Sequence, residues 1–152
     1  MDTTKTKTIL YVEDDPVVQM AYRHRLEREG FAVESAKDGL EAMKVLLRVV
    51  PDLVMLDLML PKFDGGEVLK FMQANPLLKS VPVIILSTNS IVDADEEYVL
   101  ENANRRFIKD NCTFAMLLQS IKKLLAEAPA RDNAALDGQM DNEPKKLEKT
   151  AA

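Results

Sequence analysis

Residues whose side chains suit phosphate and metal chemistry follow short apolar runs at four places along the sequence. They are three acids, one hydroxyl and one amine: Glu13, Asp14, Asp57, Ser87 and Lys109. If the apolar runs are parallel strands of one sheet, their carboxyl ends meet at one edge, where open α/β sheets bind ligands. We therefore expect these five side chains to converge on one site.

The residue types at this expected site favour phosphoryl transfer. Carboxylates placed close together repel one another unless a positive charge lies between them. A hard cation with oxygen ligands, Mg2+ or Mn2+, meets this need, and Mg2+ commonly binds one or two carboxylates, waters and a phosphate. Lys109 adds a charge suited to phosphate oxygens, and Ser87 adds a hydrogen-bond donor. A carboxylate nucleophile at Asp57 completes the set that phosphoryl transfer requires.

Short β-branched runs alternate with longer segments of helical periodicity, and this alternation predicts the fold. Five strands are predicted, at residues 8–12, 31–35, 52–56, 81–86 and 106–108. The third and fourth runs lack polar alternation, as in strands that are buried on both faces of a parallel sheet. Helices are expected between the strands and after the last one, including residues 67–73, 93–101 and 114–125. The pattern predicts a doubly wound, five-stranded parallel sheet with helices on both faces.

The first helix has recognisable boundaries in the sequence. Pro16 suits the first turn of a helix, Asp15 is expected at its start rather than at a metal, and Gly30 suits its end. The apolar residues of this helix recur at helical spacing and predict its buried face: Val17, Met20, Ala21 and Leu26.

Length, charge and composition exclude several classes of protein. The chain has 152 residues, enough for one domain with its own core, and its net charge of −5 argues against binding to nucleic acid or anionic membranes. A single cysteine, Cys112, cannot form an internal disulfide, and no apolar run suits a signal peptide or membrane span. These features predict a cytoplasmic protein with a folded domain at residues 1–128 and a polar, disordered tail at residues 129–152.

Four segments, in this order and spacing, resemble the motifs of bacterial response-regulator receiver domains. They are ILYVEDD at residues 9–15, DLMLPKFDG at 57–65, VPVIILS at 81–87 and IK at 108–109. The resemblance implies a stand-alone, chemotaxis-type receiver with a flavodoxin-like strand order of 2-1-3-4-5. It also implies a single-domain response regulator that takes a phosphoryl group from a sensor histidine kinase or histidine phosphotransfer protein. Such a regulator signals by altered binding to a separate downstream protein, here unknown.

The resemblance also implies a role for each site residue. Asp57 is the expected phosphoacceptor and a metal ligand, Asp14 is expected to bind Mg2+ directly, and Glu13 is expected to bind it through water. The backbone carbonyl of Met59 is a further expected ligand. Two remaining residues are expected to contact the phosphoryl oxygens: Ser87 and Lys109.

Three positions depart from the family pattern, all near the segment that relays phosphorylation to partners. Thr88 stands where a small residue is usual, and Arg106 occupies the position of the switch aromatic, with Phe107 one place along and expected to face the other way. Asp110 follows Lys109 where proline is usual, so this peptide is expected to be trans. The departures motivate a second hypothesis, a degenerate receiver that acts as a constitutive protein-binding module.

Two further classes were weighed against the receiver. A phosphohydrolase of the haloacid-dehalogenase type carries a second acid two positions after its nucleophile, where this chain has Met59. A nucleotide-binding Rossmann protein carries G-x-G-x-x-G after its first strand, where this chain has acids. Both classes therefore rank below the receiver, and no metabolic enzyme activity is expected.

Overall fold

Strands and helices alternate along the part of the chain that the computed structural model describes, which is residues 5–57, 65–87, 101, 103–108 and 112–128. In chain order the elements are β1 (Thr8–Val12), α1 (Pro16–Arg28), β2 (Ala32–Ala36), α2 (Gly39–Leu46), β3 (Leu53–Asp57), α3 (Gly65–Gln73), β4 (Val83–Ser87), β5 (Arg105–Ile108) and α4 (Phe114–Glu127). None of the helices in these ranges is long and apolar enough to cross a membrane. The predicted tail and all but the last residue of the helix predicted at residues 93–101 lie outside the described residues.

The five strands form one parallel sheet in the order β2-β1-β3-β4-β5. Leu10 of β1 lies opposite Glu34 of β2 on one side and Val54 of β3 on the other. From β1 the chain adds β2 on one side and then β3, β4 and β5 on the other side. The carboxyl ends of β1 and β3 therefore flank the switch point of the fold. This topology confirms the predicted parallel sheet and its strand order.

The sheet separates two apolar clusters, one on each of its faces. One cluster includes Val45 from α2 and Met72 from α3, and the other includes Leu26 from α1 with Leu117 and Ile121 from α4. Every residue of β3 is buried, as are residues 83–86 of β4. Helices therefore cover both faces, and the two uniformly apolar strands are buried as predicted.

Helix α1 begins and ends at the predicted residues. The Asp15 carboxylate accepts hydrogen bonds from the backbone N–H groups of Val17 and Val18, at 2.9 and 3.2 Å. Pro16 occupies the first turn, where its missing N–H costs nothing. Gly30 follows the helix with a φ of +100°, a conformation that glycine adopts readily. Asp15 is therefore a helix cap, as expected.

The predicted buried face of α1 is wrong at three of its four positions. Val17 is 75% exposed and Met20 is 71% exposed, Ala21 is also exposed, and Leu26 alone is buried. The helix instead turns Tyr22 towards the sheet, where its ring packs against the cluster shared with α4. An aromatic ring buries more apolar surface than an aliphatic side chain, which favours this rotation of the helix.

The bounds of four strands differ from prediction by one or two residues: β2, β3, β4 and β5. Asp52, predicted as the first residue of the third strand, precedes β3. Its backbone N–H donates to the Thr8 carbonyl at 2.8 Å, and its carboxylate accepts a hydrogen bond from the Thr8 N–H at 2.8 Å. Pro82, predicted inside the fourth strand at its start, precedes β4 and accepts from the Val54 N–H at 3.0 Å. The third strand extends one residue beyond its predicted end and includes Asp57 as its last residue.

Candidate functional site

Three acids meet at the carboxyl ends of β1 and β3. One carboxylate oxygen from each of Glu13, Asp14 and Asp57 lies within 4.8 Å of the other two. Glu13 and Asp57 are only 2% and 3% exposed, whereas Asp14 is exposed. Asp57 ends β3, and the other two acids follow β1 directly, so the adjacency of these strands creates the cluster. The structure thus brings together three residues that the sequence predicted to be neighbours.

The chemistry of this cluster fits a divalent cation. Carboxylates at this separation repel one another, and burial of two of them removes much of the water that would screen the repulsion. A donor set made only of oxygens suits Mg2+ or Mn2+ better than Zn2+, which favours nitrogen and sulfur ligands. Asp14 keeps one side of the cluster open to solvent, in line with the waters that Mg2+ usually retains.

The carboxylate of Glu13 is held by donors to both of its oxygens. The Tyr11 hydroxyl donates to Oε1 at 3.3 Å, and the Asp15 backbone N–H donates to Oε2 at 3.2 Å. The backbone of Glu13 is fixed as well, because Gln19 Nε2 donates to its carbonyl at 2.9 Å and to the carbonyl of Ala36 at 3.0 Å. These bonds orient the Glu13 carboxylate within the protein itself, as outer-shell groups do for metal ligands.

Tyr11 stays protonated beside the acids. Burial raises the pKa of its phenol far above the ordinary value, and the charge of Glu13, the nearby Tyr22, the hydrogen bond to Glu13 and the charge of Asp57 raise it further. The side chain is fully buried at 0% exposure. Because the phenol keeps its proton, it remains a hydrogen-bond donor to the carboxylate.

Ser87 lies at the same edge of the sheet as the acids. It is the last residue of β4, the strand next to β3, and Asp57 pairs with the preceding residue, Leu86. Ser87 itself pairs with Ile108 of β5. Three predicted site residues lie outside the described residues: Met59, Thr88 and Lys109.

Two of the three predicted switch positions, Arg106 and Phe107, lie on β5. Arg106 pairs with Ile85 in the ladder, and Phe107 pairs with Leu86. The ring of Phe107 is partly buried and packs against the cluster shared by α1 and α4. The peptide between Lys109 and Asp110, predicted to be trans, lies outside the described residues. The roles of these residues in switching stay predictions.

Sequence reasoning missed two residues that contact the site, Tyr11 and Gln19. Tyr11 stood within an apolar run and was counted only as a strand residue. Its spacing of two from Glu13 was an available signal, because side chains two apart on a strand share a face. Gln19 carried no such signal, because one of its acceptors, the Glu13 carbonyl, follows β1 and the other, the Ala36 carbonyl, ends β2, 17 residues away in the sequence.

The fold and the site together define a doubly wound α/β protein with a carboxylate cluster at the switch point of its sheet. The family model described as the response regulator receiver domain matches residues 9–124. The chain therefore belongs to the response regulator receiver domain family. Members of this family are signalling proteins of two-component systems rather than metabolic enzymes.

Named relatives and solved structures agree with this assignment. The polar-differentiation response regulator DivK of Brucella ovis is 28% identical over 123 residues, which span 81% of this chain and 99% of the relative. The receiver domain of a signal transduction histidine kinase from Syntrophus aciditrophicus is 30% identical, with a TM-score of 0.75 and coverage of 84% of this chain and 96% of that one. The receiver domain of a sensor histidine kinase from Pseudomonas aeruginosa is 27% identical, with a TM-score of 0.73 and coverage of 81% and 100%, and it holds a magnesium ion in its active-site cleft.

Proposed function

We propose that this protein is a single-domain response regulator that accepts a phosphoryl group on Asp57 and signals by altered partner binding. The observation that carries the proposal is the convergence of Glu13, Asp14 and Asp57, with carboxylate oxygens within 4.8 Å of one another, in a chain of the receiver family. The proposed phosphodonor is a sensor histidine kinase or a histidine phosphotransfer protein. The proposed setting is the cytoplasm.

The proposed cation is Mg2+ or Mn2+, held by Asp14 and Asp57 directly, by Glu13 through water and by the Met59 carbonyl. When bound, it neutralises charge that spreads over the transferring phosphoryl oxygens. The cluster of three acids supports this assignment. The magnesium ion in the receiver domain from Pseudomonas aeruginosa supports it as well.

Asp57 is the nucleophile of the proposed reaction. One of its carboxylate oxygens bonds to phosphorus while the bond from phosphorus to the donor's imidazole nitrogen breaks. The electron pair of that bond stays on the imidazole, which then takes a proton from water. Lys109 and Ser87 are proposed to contact the phosphoryl oxygens and to stabilise their charge.

An exposed apolar stripe on α1 supports docking of a protein phosphodonor beside the site. Val17 and Met20 are 75% and 71% exposed, and Val17 lies three residues after Asp14. Exposed apolar side chains that neighbour a reactive site are typical of protein-contact surfaces. We call Val17, Met20 and Ala21 the α1 stripe.

A degenerate receiver that binds its partner constitutively is the second candidate. The observations that favour it are the departures at Thr88, Arg106 and Asp110. It is less well supported, because a receiver without phosphoryl chemistry has no need to hold three acids at one point. The two candidates differ in one outcome: the degenerate receiver predicts that Asp57→Ala leaves partner binding unchanged.

Intact-mass spectrometry after incubation with acetyl phosphate tests the proposal. The wild-type chain should gain one phosphoryl group when Mg2+ is present and none when EDTA replaces it. Asp57→Asn should gain none. Asp15→Asn is the matched control, because it removes an acid beside the site and asparagine still caps the helix, so it should gain the group as wild type does. A wild-type chain that binds Mg2+ without gaining mass would instead support the degenerate receiver.

A further inference from the structure

A buried tyrosine contacts the candidate metal site from inside the core. Tyr11 lies on β1, two residues before Glu13, so the two side chains share a face of the strand. Tyr11 is 0% exposed and Glu13 is 2% exposed, and the phenol donates to Oε1 of the acid at 3.3 Å. A hydrogen bond to an ionised acceptor in a water-poor setting is stronger than a bond between neutral groups. The contact is therefore well placed to orient the carboxylate.

The ring of Tyr11 is itself fixed by aromatic contacts. It stacks on Tyr22 of α1, with ring centroids 5.8 Å apart and planes 25° apart. Tyr22 meets Phe114 of α4 edge-on at 6.1 Å, and the Arg25 guanidinium lies over the Phe114 ring at 4.0 Å. Because these contacts tie the strand to two helices, the Tyr11 hydroxyl has little freedom to leave the carboxylate.

Packing alone does not account for the hydroxyl. A phenylalanine would fill the same space in the apolar cluster around Ile9, Met55 and Leu117. What the tyrosine adds is a donor to Glu13 on the oxygen that the Asp15 N–H does not contact. The two donors therefore hold different oxygens of the same carboxylate.

We infer that Tyr11 is a positioning residue, whose hydroxyl holds the Glu13 carboxylate in the orientation that serves the cation. The inference rests on the proposed function, because it requires a divalent cation at the acid cluster. Outer-shell partners of metal ligands act in this way, and their loss typically weakens metal binding about 10–100-fold.

Isothermal titration of the full chain with MgCl2 at pH 7 tests the inference. Tyr11→Phe should raise the Kd for Mg2+ by about 10-fold, the lower end of the range for outer-shell partners, because Glu13 reaches the cation through water and its hydrogen bond to Tyr11 is long. Tyr22→Phe is the matched control, since it removes a hydroxyl from the neighbouring ring of the same stack and should leave the Kd at the wild-type value. The melting temperature of each metal-free variant reports separately on folding.

A double-mutant cycle shows whether Tyr11 acts through Glu13. In a Glu13→Gln background, Tyr11→Phe should produce a markedly smaller change in the Kd than in wild type, because the carboxylate that the phenol orients is gone. Phosphorylation by acetyl phosphate gives a second reading. Tyr11→Phe should need more Mg2+ for half-maximal rate and should still reach the wild-type rate at saturating Mg2+, whereas a purely structural role would lower that maximal rate.

The outcomes separate this inference from the proposed function. If wild type binds Mg2+ and Tyr11→Phe binds it equally well, the inference is overturned while the proposed function stands. If Tyr11→Phe and Tyr22→Phe weaken Mg2+ binding equally, the inference is also overturned, because the effect would then come from the Tyr11–Tyr22 ring stack as a whole. If wild type itself binds no Mg2+, the proposed function fails and the inference fails with it.

Discussion

At the scale of single residues, the three acids of the site lie in different environments. Glu13 is buried and its two oxygens accept hydrogen bonds from Tyr11 and Asp15, whereas its neighbour Asp14 is exposed. Asp57 is buried at the end of β3. These environments suit the proposed roles of Glu13 as an outer ligand, Asp14 as a direct ligand and Asp57 as the nucleophile.

The first prediction concerns Asp14. Asp14→Asn should weaken Mg2+ binding at least as much as loss of an outer-shell partner does, about 10–100-fold, because a direct charged ligand is removed. The same change should raise the melting temperature of the metal-free protein, since one of three mutually repelling charges is gone. Titration calorimetry and thermal unfolding check the two effects. If metal-free Asp14→Asn melts at a lower temperature than the metal-free wild type, repulsion among the three carboxylates is contradicted.

At the scale of elements, α1 does more than cover the sheet. Its Gln19 amide joins the carbonyls of Glu13 and Ala36, and so ties the carboxyl ends of β1 and β2 to the helix. Its first turn, capped by Asp15, begins immediately after the acids. The helix therefore fixes the backbone from which two of the three acids project.

The second prediction tests the hydrogen bonds of Gln19 to these two carbonyls. Gln19→Met keeps the length of the side chain and removes its donors, which leaves two partly buried carbonyls without that partner. Unfolding in urea should show a loss of about 1–3 kcal/mol. Gln119→Met makes the same change at an exposed position of α4 and should alter stability by less than about 0.5 kcal/mol. Equal losses of unfolding free energy in the two variants would rule out a specific role for the Gln19 hydrogen bonds.

The elements also show where sequence patterns succeed and fail. β3 and β4 were predictable because an unbroken apolar run is typical of a strand covered on both faces. The orientation of α1 was not, because Val17, Met20 and Ala21 have helical spacing and yet face solvent. Periodicity indicates that a helix has an apolar stripe, but packing of Tyr22 decided which side met the sheet.

At the scale of the whole molecule, strand order creates the site. Asp57 is 44 residues from Glu13 in the sequence, and the parallel β1–β3 pair brings their carboxylates together. Alternating strands and helices restrict the topology to a few right-handed solutions, which is why the fold and the meeting of the acids could be predicted. The contacts of Tyr11 with Glu13 and Tyr22 could not, because they depend on side-chain packing within the finished sheet.

The third prediction concerns the α1 stripe as a docking surface. The double variant Val17→Ser, Met20→Ser should slow phosphotransfer from a histidine phosphotransfer protein that is active on wild type by about 10-fold, as expected for loss of interface anchors. Phosphorylation by acetyl phosphate should stay unchanged, because that donor needs no protein contact. Leu47→Ser, at a 62% exposed position on α2, is the control. If the double variant keeps the wild-type rate with the protein donor, the phosphodonor docks elsewhere.

Borohydride reduction tests most directly whether Asp57 itself receives the phosphoryl group. Borohydride reduces an aspartyl phosphate to homoserine, so the phosphorylated chain is reduced, digested and sequenced by tandem mass spectrometry. Homoserine is expected at position 57 alone, and only after incubation with both the phosphodonor and Mg2+. Homoserine at another aspartate, the corresponding alcohol at a glutamate, or a stable phosphate on a hydroxyl with Asp57 intact would contradict phosphorylation of Asp57.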